Sequence, residues 1–461
     1  MNNFPRCLSL TALLLAGAAL AGTPDPTLLV PGQTLGPMRQ ASVEVEDGAM
    51  AMDERSQLLV GRPGAYTAQA GNVLLYRWES GSWQIRQIIV APVAFQQSGA
   101  RFGQSLAVHG RWLLIGAPGE TVEGVSQAGA GYLFRRRTDN DNYELVNGGR
   151  LVQGLPSGNA RRLGTAVAIG ADFAALGVPG HGPMGNAQVG QVVTVTRQPN
   201  DAWFIDGLIN LPAGNPAAGA AFGSSLLMDA SGANLFVGAP DQTVSDQAVA
   251  GRVYVYRRNA GAWQLRQQLS WTPTDLLDRF GTAMALADGR LFVGASARSK
   301  PGAAQAKGGG VRVYRFIAGL DSWVTETDLF PGTAQSGARF GQALSARSGA
   351  VGPRLLVGVP RRNLGTVLIG VRSEAGEALV FESLPASGGY DYFETLALRW
   401  GGSILASASG NRFGSSVLLA ERDGLPFAGA AAPGRSEDGQ TAGWIQTWVG
   451  DRIFRHGFEL P

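Results

Sequence analysis

Four arginines recur at one place in an internal repeat, and they are the residues best placed to do chemistry. Arg101, Arg162, Arg279 and Arg339 each stand directly before Phe102-Gly103, Leu163-Gly164, Phe280-Gly281 and Phe340-Gly341. A guanidinium stays charged and offers a planar fork of donors that matches a carboxylate or another oxyanion. Rotational symmetry would gather the four on one face, around a channel mouth. There they could hold an acidic glycan, a carboxylate-bearing peptide or another anion. Two further copies carry Ala221 and Glu46 at that place, so the expected ring is incomplete. Solvated loop arginines in an arginine-rich chain would leave the same trace in sequence.

Other chemistry is thinly provided. The three histidines, His109, His181 and His456, share no spacing suited to zinc, and no metal site is expected. Gly308-Gly309-Gly310 precedes a strand-like run rather than a helix, which argues against a phosphate-binding loop. Asp and Glu are scattered over turns, with no acid/base pair evident. A serine–histidine–carboxylate site is assembled by the fold rather than by sequence order, so it stays open without being favoured. No catalytic residue and no cofactor is assigned, and the balance lies against an enzyme.

The elements that must position the arginines come from a repeat. The landmarks are Phe102-Gly103 with Gly116-Ala117-Pro118, Leu163-Gly164 with Gly177-Val178-Pro179, and Phe222-Gly223 with Gly238-Ala239-Pro240. They continue with Phe280-Gly281 and Gly294-Ala295-Ser296, then Phe340-Gly341 and Gly358-Val359-Pro360. A degenerate first copy has Asp47-Gly48 with Gly61-Arg62-Pro63, and a weaker seventh runs from Phe393 to Ser407-Ala408-Ser409. Successive starts lie 55, 61, 59, 58, 60 and 53 residues apart.

Each copy carries four strand-like runs. In the fourth they are Gly223–Met228, Leu235–Gly238, Gly251–Tyr256 and Trp263–Leu269, with residues 257–262 as a turn. Helical periodicity is missing. A sheet of four short strands cannot bury itself, so about seven of them predict an all-β fold: a seven-bladed β-propeller of four-stranded antiparallel blades. Small residues such as Ser105, Ala107, Ala166 and Ala168 suit first strands crowded at the axis. The recurrent Trp83, Trp203, Trp263 and Trp323 suit the splayed outer strands, as packing rather than as a stacking platform.

Residues 1–21 read as an export signal, with Arg6, an apolar run from Leu8 to Leu20 and a small-residue cleavage site. Its Cys7 is the only cysteine, so the mature chain has no thiol. Residues 22–46 form an N-terminal segment, and Thr27-Leu28-Leu29-Val30 is expected to close the ring by pairing into the last blade. The propeller spans 47–430. Residues 431–461 hold either the last strands of blade seven or a tail. One reading makes 414–420 the third strand of blade seven. The other treats 410–442 as an insertion and ends the blade with 444–449 and 453–458.

Phe-Gly, then Gly-Ala-Pro, then a strand such as Gly251-Arg252-Val253-Tyr254-Val255-Tyr256 resembles the FG-GAP repeats of integrin alpha subunits and of many secreted bacterial proteins. The bacterial form is most similar, as at Arg279-Phe280-Gly281, and the likeness covers residues 47–420. It implies a seven-bladed propeller used for adhesion or ligand binding. Integrin-type copies bind calcium through Asp-x-Asn-x-Asp-Gly. Here the matching connections are His109-Gly110-Arg111 and Asp288-Gly289-Arg290, and Asp229–Asn234 holds one carboxylate, so calcium is not expected. Asp139-Asn140-Asp141-Asn142 reads as a hairpin turn.

The formal charge of +3 excludes a nucleic-acid-scale electrostatic footprint. After the signal no run reaches transmembrane length. The expectation is a monomeric secreted or cell-surface adhesion protein, extracellular with the periplasm as alternative, whose partner is an extracellular protein or glycan. A structural module of an envelope assembly and a propeller hydrolase acting on an extracellular polymer are the rival readings.

Overall fold

The computed structural model describes residues 30–31, 48–64, 70–152, 160–182, 188–213, 219–302, 307–349, 352–364, 374–383, 389–396, 410–433, 436–437, 440–441 and 444–449. The expected export signal and His456 lie outside them. Seven four-stranded antiparallel sheets stand around a common axis as the blades of a β-propeller. Blade one is Met50–Met52, Leu58–Arg62, Asn72–Glu79 and Ser82–Ile89. Blade two is Ser105–His109, Trp112–Ala117, Ala130–Arg136 and Tyr143–Leu151. Blade three is Val167–Ile169, Phe173–Gly177, Gln191–Arg197 and Trp203–Asn210. Blade four is Ser225–Met228, Asn234–Ala239, Arg252–Asn259 and Ala262–Leu269. Blade five is Phe280–Ala287, Arg290–Ala295, Gly310–Ile317 and Ser322–Leu329. Blade six is Ala343–Arg347, Arg354–Val359, Glu377–Ser383 and Tyr390–Leu396.

Blade seven is the one that sequence reasoning misplaced. Its first three strands are Val417–Arg422, Leu425–Ala432 and Trp444–Val449, and Val30–Pro31 supplies the fourth. Val30 and Pro31 pair with Val449 and Trp448. Phe393 therefore belongs to the outer strand of blade six, and the seventh landmark is Phe413-Gly414. Residues 417–422 are a first strand rather than a third, and residues 410–442 are no insertion. The physical reason lies at the seam. Phe413 forms a parallel bridge with Gly376, as Phe102, Leu163, Phe222, Phe280 and Phe340 do with Gly71, Gly129, Gly190, Gly251 and Gly309. Phe393 has no such bridge.

The core is distributed over the seams. Seven buried apolar clusters are formed, and each joins side chains of two neighbouring blades. One of them packs Met50, Leu58 and Val60 of blade one against Phe427 and Ile445 of blade seven, so the ring is closed. At the rim, the fourth-strand aromatics stack edge-on against second-strand aromatics of the preceding blade. The pairs are Trp83–Phe427, Trp203–Trp112, Trp263–Phe173, Trp323–Phe236 and Tyr390–Phe292, with centroids 5.4–6.1 Å apart. The tryptophans are thus wedges where the blades splay.

The Phe-Gly and Gly-Ala-Pro landmarks meet across these seams. A Cβ on the Gly of each Gly-Ala-Pro would lie 1.9–2.5 Å from the carbonyl oxygen of the Phe-Gly glycine in the next blade, as with Gly116 and Gly164. Only glycine permits that approach. Outer strands carry a bulge at one recurring place, between third and fourth strands of blades one to six. A bulge twists an exposed edge and blunts it as a pairing template. The turn expected at 257–262 is tighter: Ala260 and Gly261 alone make it, with φ of 47° and 84°.

Candidate functional site

The residue before each Phe-Gly landmark is held in a left-handed conformation. Arg101, Arg162, Ala221, Arg279, Arg339 and Arg412 have φ between 51° and 62°. The cause is a main-chain clamp between blades. Arg162 N–H donates to Gln127 O, Ala221 to Gln188, Arg279 to Val249 and Arg412 to Glu374, at 2.9–3.0 Å. The acceptor residues sit in the loop joining the second and third strands of the preceding blade, two residues before its third-strand glycine. The shared left-handed φ and the bridge that follows it place Arg101, Arg162, Arg279 and Arg339 at equivalent backbone positions beside these loops.

Arg412 was missed as the fifth of the set. Arg412-Phe413-Gly414 has the right local pattern, but Phe393 had taken the seventh landmark. Counting around the ring, arginines stand on blades two, three, five, six and seven. Blade four has the buried Ala221, and Glu46 of blade one lies outside the described residues.

The arginines of blades five to seven form one electrostatic group. Arg339 feels the charges of Arg361, Arg279 and Arg412. Burial pushes the Arg339 guanidinium below the ordinary arginine range, these like charges push it further, and Glu374 opposes them. Arg279 is paired with Asp241 at 2.9 Å. Glu374 takes Arg412 at 3.1 Å and Arg361 at 3.8 Å. Arg339 makes no ion pair within 4 Å among the described residues. Its loop partners explain this: Asp241 is matched in the blade-five loop by Ala297, and Glu374 by Lys307. Lys307 is itself taken by Asp275 at 2.8 Å. Arg162 likewise makes no ion pair within 4 Å among the described residues, and Gly119 and Gln127 fill the matching places in blade two. Arg101 and Arg162 stand on blades two and three, away from this group.

Beneath the same face three carboxylates are buried beside a cation. Glu120 accepts hydrogen bonds from Arg150 and the Tyr132 hydroxyl at 2.6 and 2.7 Å. Asp278 pairs with Arg298 at 2.5 Å, and Glu377 with Arg362 at 2.9 Å. Burial pushes all three up from the ordinary carboxylate range, and the neighbouring arginine opposes it. Glu120 and Glu377 tie loop to blade, and Asp278 ties the segment entering blade five to the loop after its second strand. His181 lies in the blade-three loop, where burial and the nearby Arg161 push its imidazole below its ordinary range.

The family-type calcium positions are occupied by turn chemistry. Asp229 uses both oxygens on its own turn, accepting from Ala233 and Asn234 main-chain N–H and from the Asn234 amide at 2.6–3.2 Å. Asp139 and Asp141 sit between the third and fourth strands of blade two and pair with Arg137 and Arg136. Among the described residues no three His, Cys, Asp or Glu side chains gather as a metal would need. No helix there is long and apolar enough to cross a membrane. No protein-family model and no curated protein matches the sequence.

Proposed function

We propose that the chain is a divergent FG-GAP-type propeller, exported to the cell surface or beyond, that binds an extracellular ligand on its loop face. The arc of Arg279, Arg339, Arg361 and Arg412 carries this reading. It leaves cationic donors facing solvent, one of them without a counter-ion among the described residues. Variable loops on a rigid closed ring are where recognition is expected. The loops after Gly116-Ala117-Pro118 and Gly238-Ala239-Pro240 match in length residue for residue, yet differ in side chains.

The test is a screen of the exported protein against glycans and extracellular proteins, followed by variants on each face. A ligand should lose binding when Arg279 and Arg412 are both changed to Glu. It should keep binding with Arg55→Glu, which lies in the exposed turn of blade one on the opposite face. The opposite pattern would overturn the assignment of the face.

A further inference from the structure

We propose that blades five to seven of the loop face form a subsite for an acidic polysaccharide, whose repeated oxyanion groups are taken by Arg339 between Arg279 and Arg412. This rests on the reading that the loop face is the binding face. It adds which sector works and what chemistry it takes.

Charge accounting comes first. The sector brings together Arg279, Arg339, Arg361 and Arg412, while only Asp241 and Glu374 oppose them. Of the other charges on these loops, Arg362 is matched with Glu377, Arg298 with Asp278 and Lys307 with Asp275. Lys300, which donates to the Pro331 and Gly332 carbonyls, and the exposed Asp246 make no ion pair among the described residues and cancel in sign. Two positive charges are left over, centred on Arg339. An incoming oxyanion would relieve like-charge repulsion already present, and a guanidinium can grip it with two parallel hydrogen bonds.

Repetition comes second. Arg279, Arg339 and Arg412 are carried by three consecutive blades in the same backbone conformation. Cations repeated at blade intervals suit a ligand with repeated anions.

A glycan and an acidic protein differ in the anchors they need. Protein interfaces centre on apolar and aromatic anchors. In blades five to seven the exposed large apolar side chains are Leu320, Val324 and Leu425, and Leu276 and Leu277 are exposed on the segment that leads into blade five. Leu320 and Leu425 stand at turns on the opposite face and Val324 on an outer strand. Leu276 and Leu277 flank the sector at its Arg279 end, and among the described residues neither Arg339 nor Arg412 has such an anchor beside it in its own blade.

The experiment titrates the exported protein with polygalacturonate, heparin, neutral dextran and poly-L-glutamate at two salt concentrations. Polygalacturonate and heparin separate carboxylate from sulfate as the recognised group. Binding of at least one of them, with none to dextran, is expected. Arg339→Gln should weaken that binding roughly tenfold, since a hydrogen bond to a charged group is worth on the order of 1.4 kcal/mol or more. Arg339→Lys, which keeps the charge but loses the fork, should fall between the two. Arg162→Gln should bind as wild type, and all variants should melt as wild type. No binding to either acidic glycan, or full binding by Arg339→Gln, would overturn the subsite. Equal capture of poly-L-glutamate, lost in the same variants, would overturn the glycan in favour of a peptide. Loss with Arg101→Gln plus Arg162→Gln and not with Arg339→Gln would refute this sector while leaving the face standing. Loss only with Arg55→Glu would refute the face itself.

Discussion

Replacing Gly116 by alanine tests the packing on which the ring depends. The added Cβ would lie 2.0 Å from Gly164 O, 3.0 Å from Gly164 C and 2.2 Å from Ser105 Oγ. An ordinary carbon–oxygen contact needs about 3.3 Å, so the seam between blades two and three must open by about 1.3 Å. Both facing atoms at Gly164 are backbone in a closed ring, so rotating the Ser105 side chain away would not relieve them. Overpacking of this kind costs roughly 1–3 kcal/mol. Opening the seam also strains the hydrogen bond that Ser105 Oγ donates to Gly164 O at 2.8 Å, worth about 1 kcal/mol. The sum, about 2–4 kcal/mol, is a large share of a native stability of about 5–15 kcal/mol. Thermal unfolding followed by circular dichroism should show a fall on the order of 5 °C. Gly319→Ala is the control. Nothing lies within 4 Å of a Cβ there and its φ is not positive, so it should be neutral or stabilising by about 0.4–1 kcal/mol. Equal melting of Gly116→Ala and wild type would refute the argument that the glycines exist for contact across the seam.

Arg136→Ala should lower stability by about 3–5 kcal/mol in denaturant unfolding, because Asp53, fully buried, would lose its facing cation. Phe236→Ala removes the wedge under Trp323, whose ring centroid is 5.4 Å away, and should cost about 3–5 kcal/mol by the same assay. Burial alone would raise Asp206, but hydrogen bonds from Thr196, Thr194 and Arg258 hold it below the ordinary carboxylate range. Its folded value is depressed, so its contribution to stability is present above the unfolded carboxylate value, near about 4, and fades as pH falls through the folded value. The melting-temperature gap between wild type and Asp206→Asn should therefore close on acidification. Removing residues up to Pro31 uncovers the edge of Trp444–Val449, and light scattering should then show association through that edge.

Much of the fold was legible in the sequence. Phe102-Gly103 and its counterparts recur at a fixed interval because each copy must place one tight glycine contact at each seam. Trp83, Trp203, Trp263 and Trp323 marked the outer strands for a comparable reason, a gap that widens with radius. Blade seven was not legible. Its landmark at Phe413 follows an outer strand containing Phe393, and local sequence has no means of telling an aromatic at the axis from one at the rim. The arginine set was found by repeat position, and Arg412 was lost with the misplaced blade.

The sequence by itself determined the period, the strand count and which residues recur, because these follow from local spacing and from glycine's lack of a side chain. The tertiary structure alone decided which charges meet. Asp241 neutralises Arg279 and Glu374 neutralises Arg412 across seams between blades. Arg339 is left uncompensated because its neighbouring loop offers Ala297 and Lys307 instead. Charge pairing falls off with distance in space, and residues far apart in the chain become neighbours only when the ring closes.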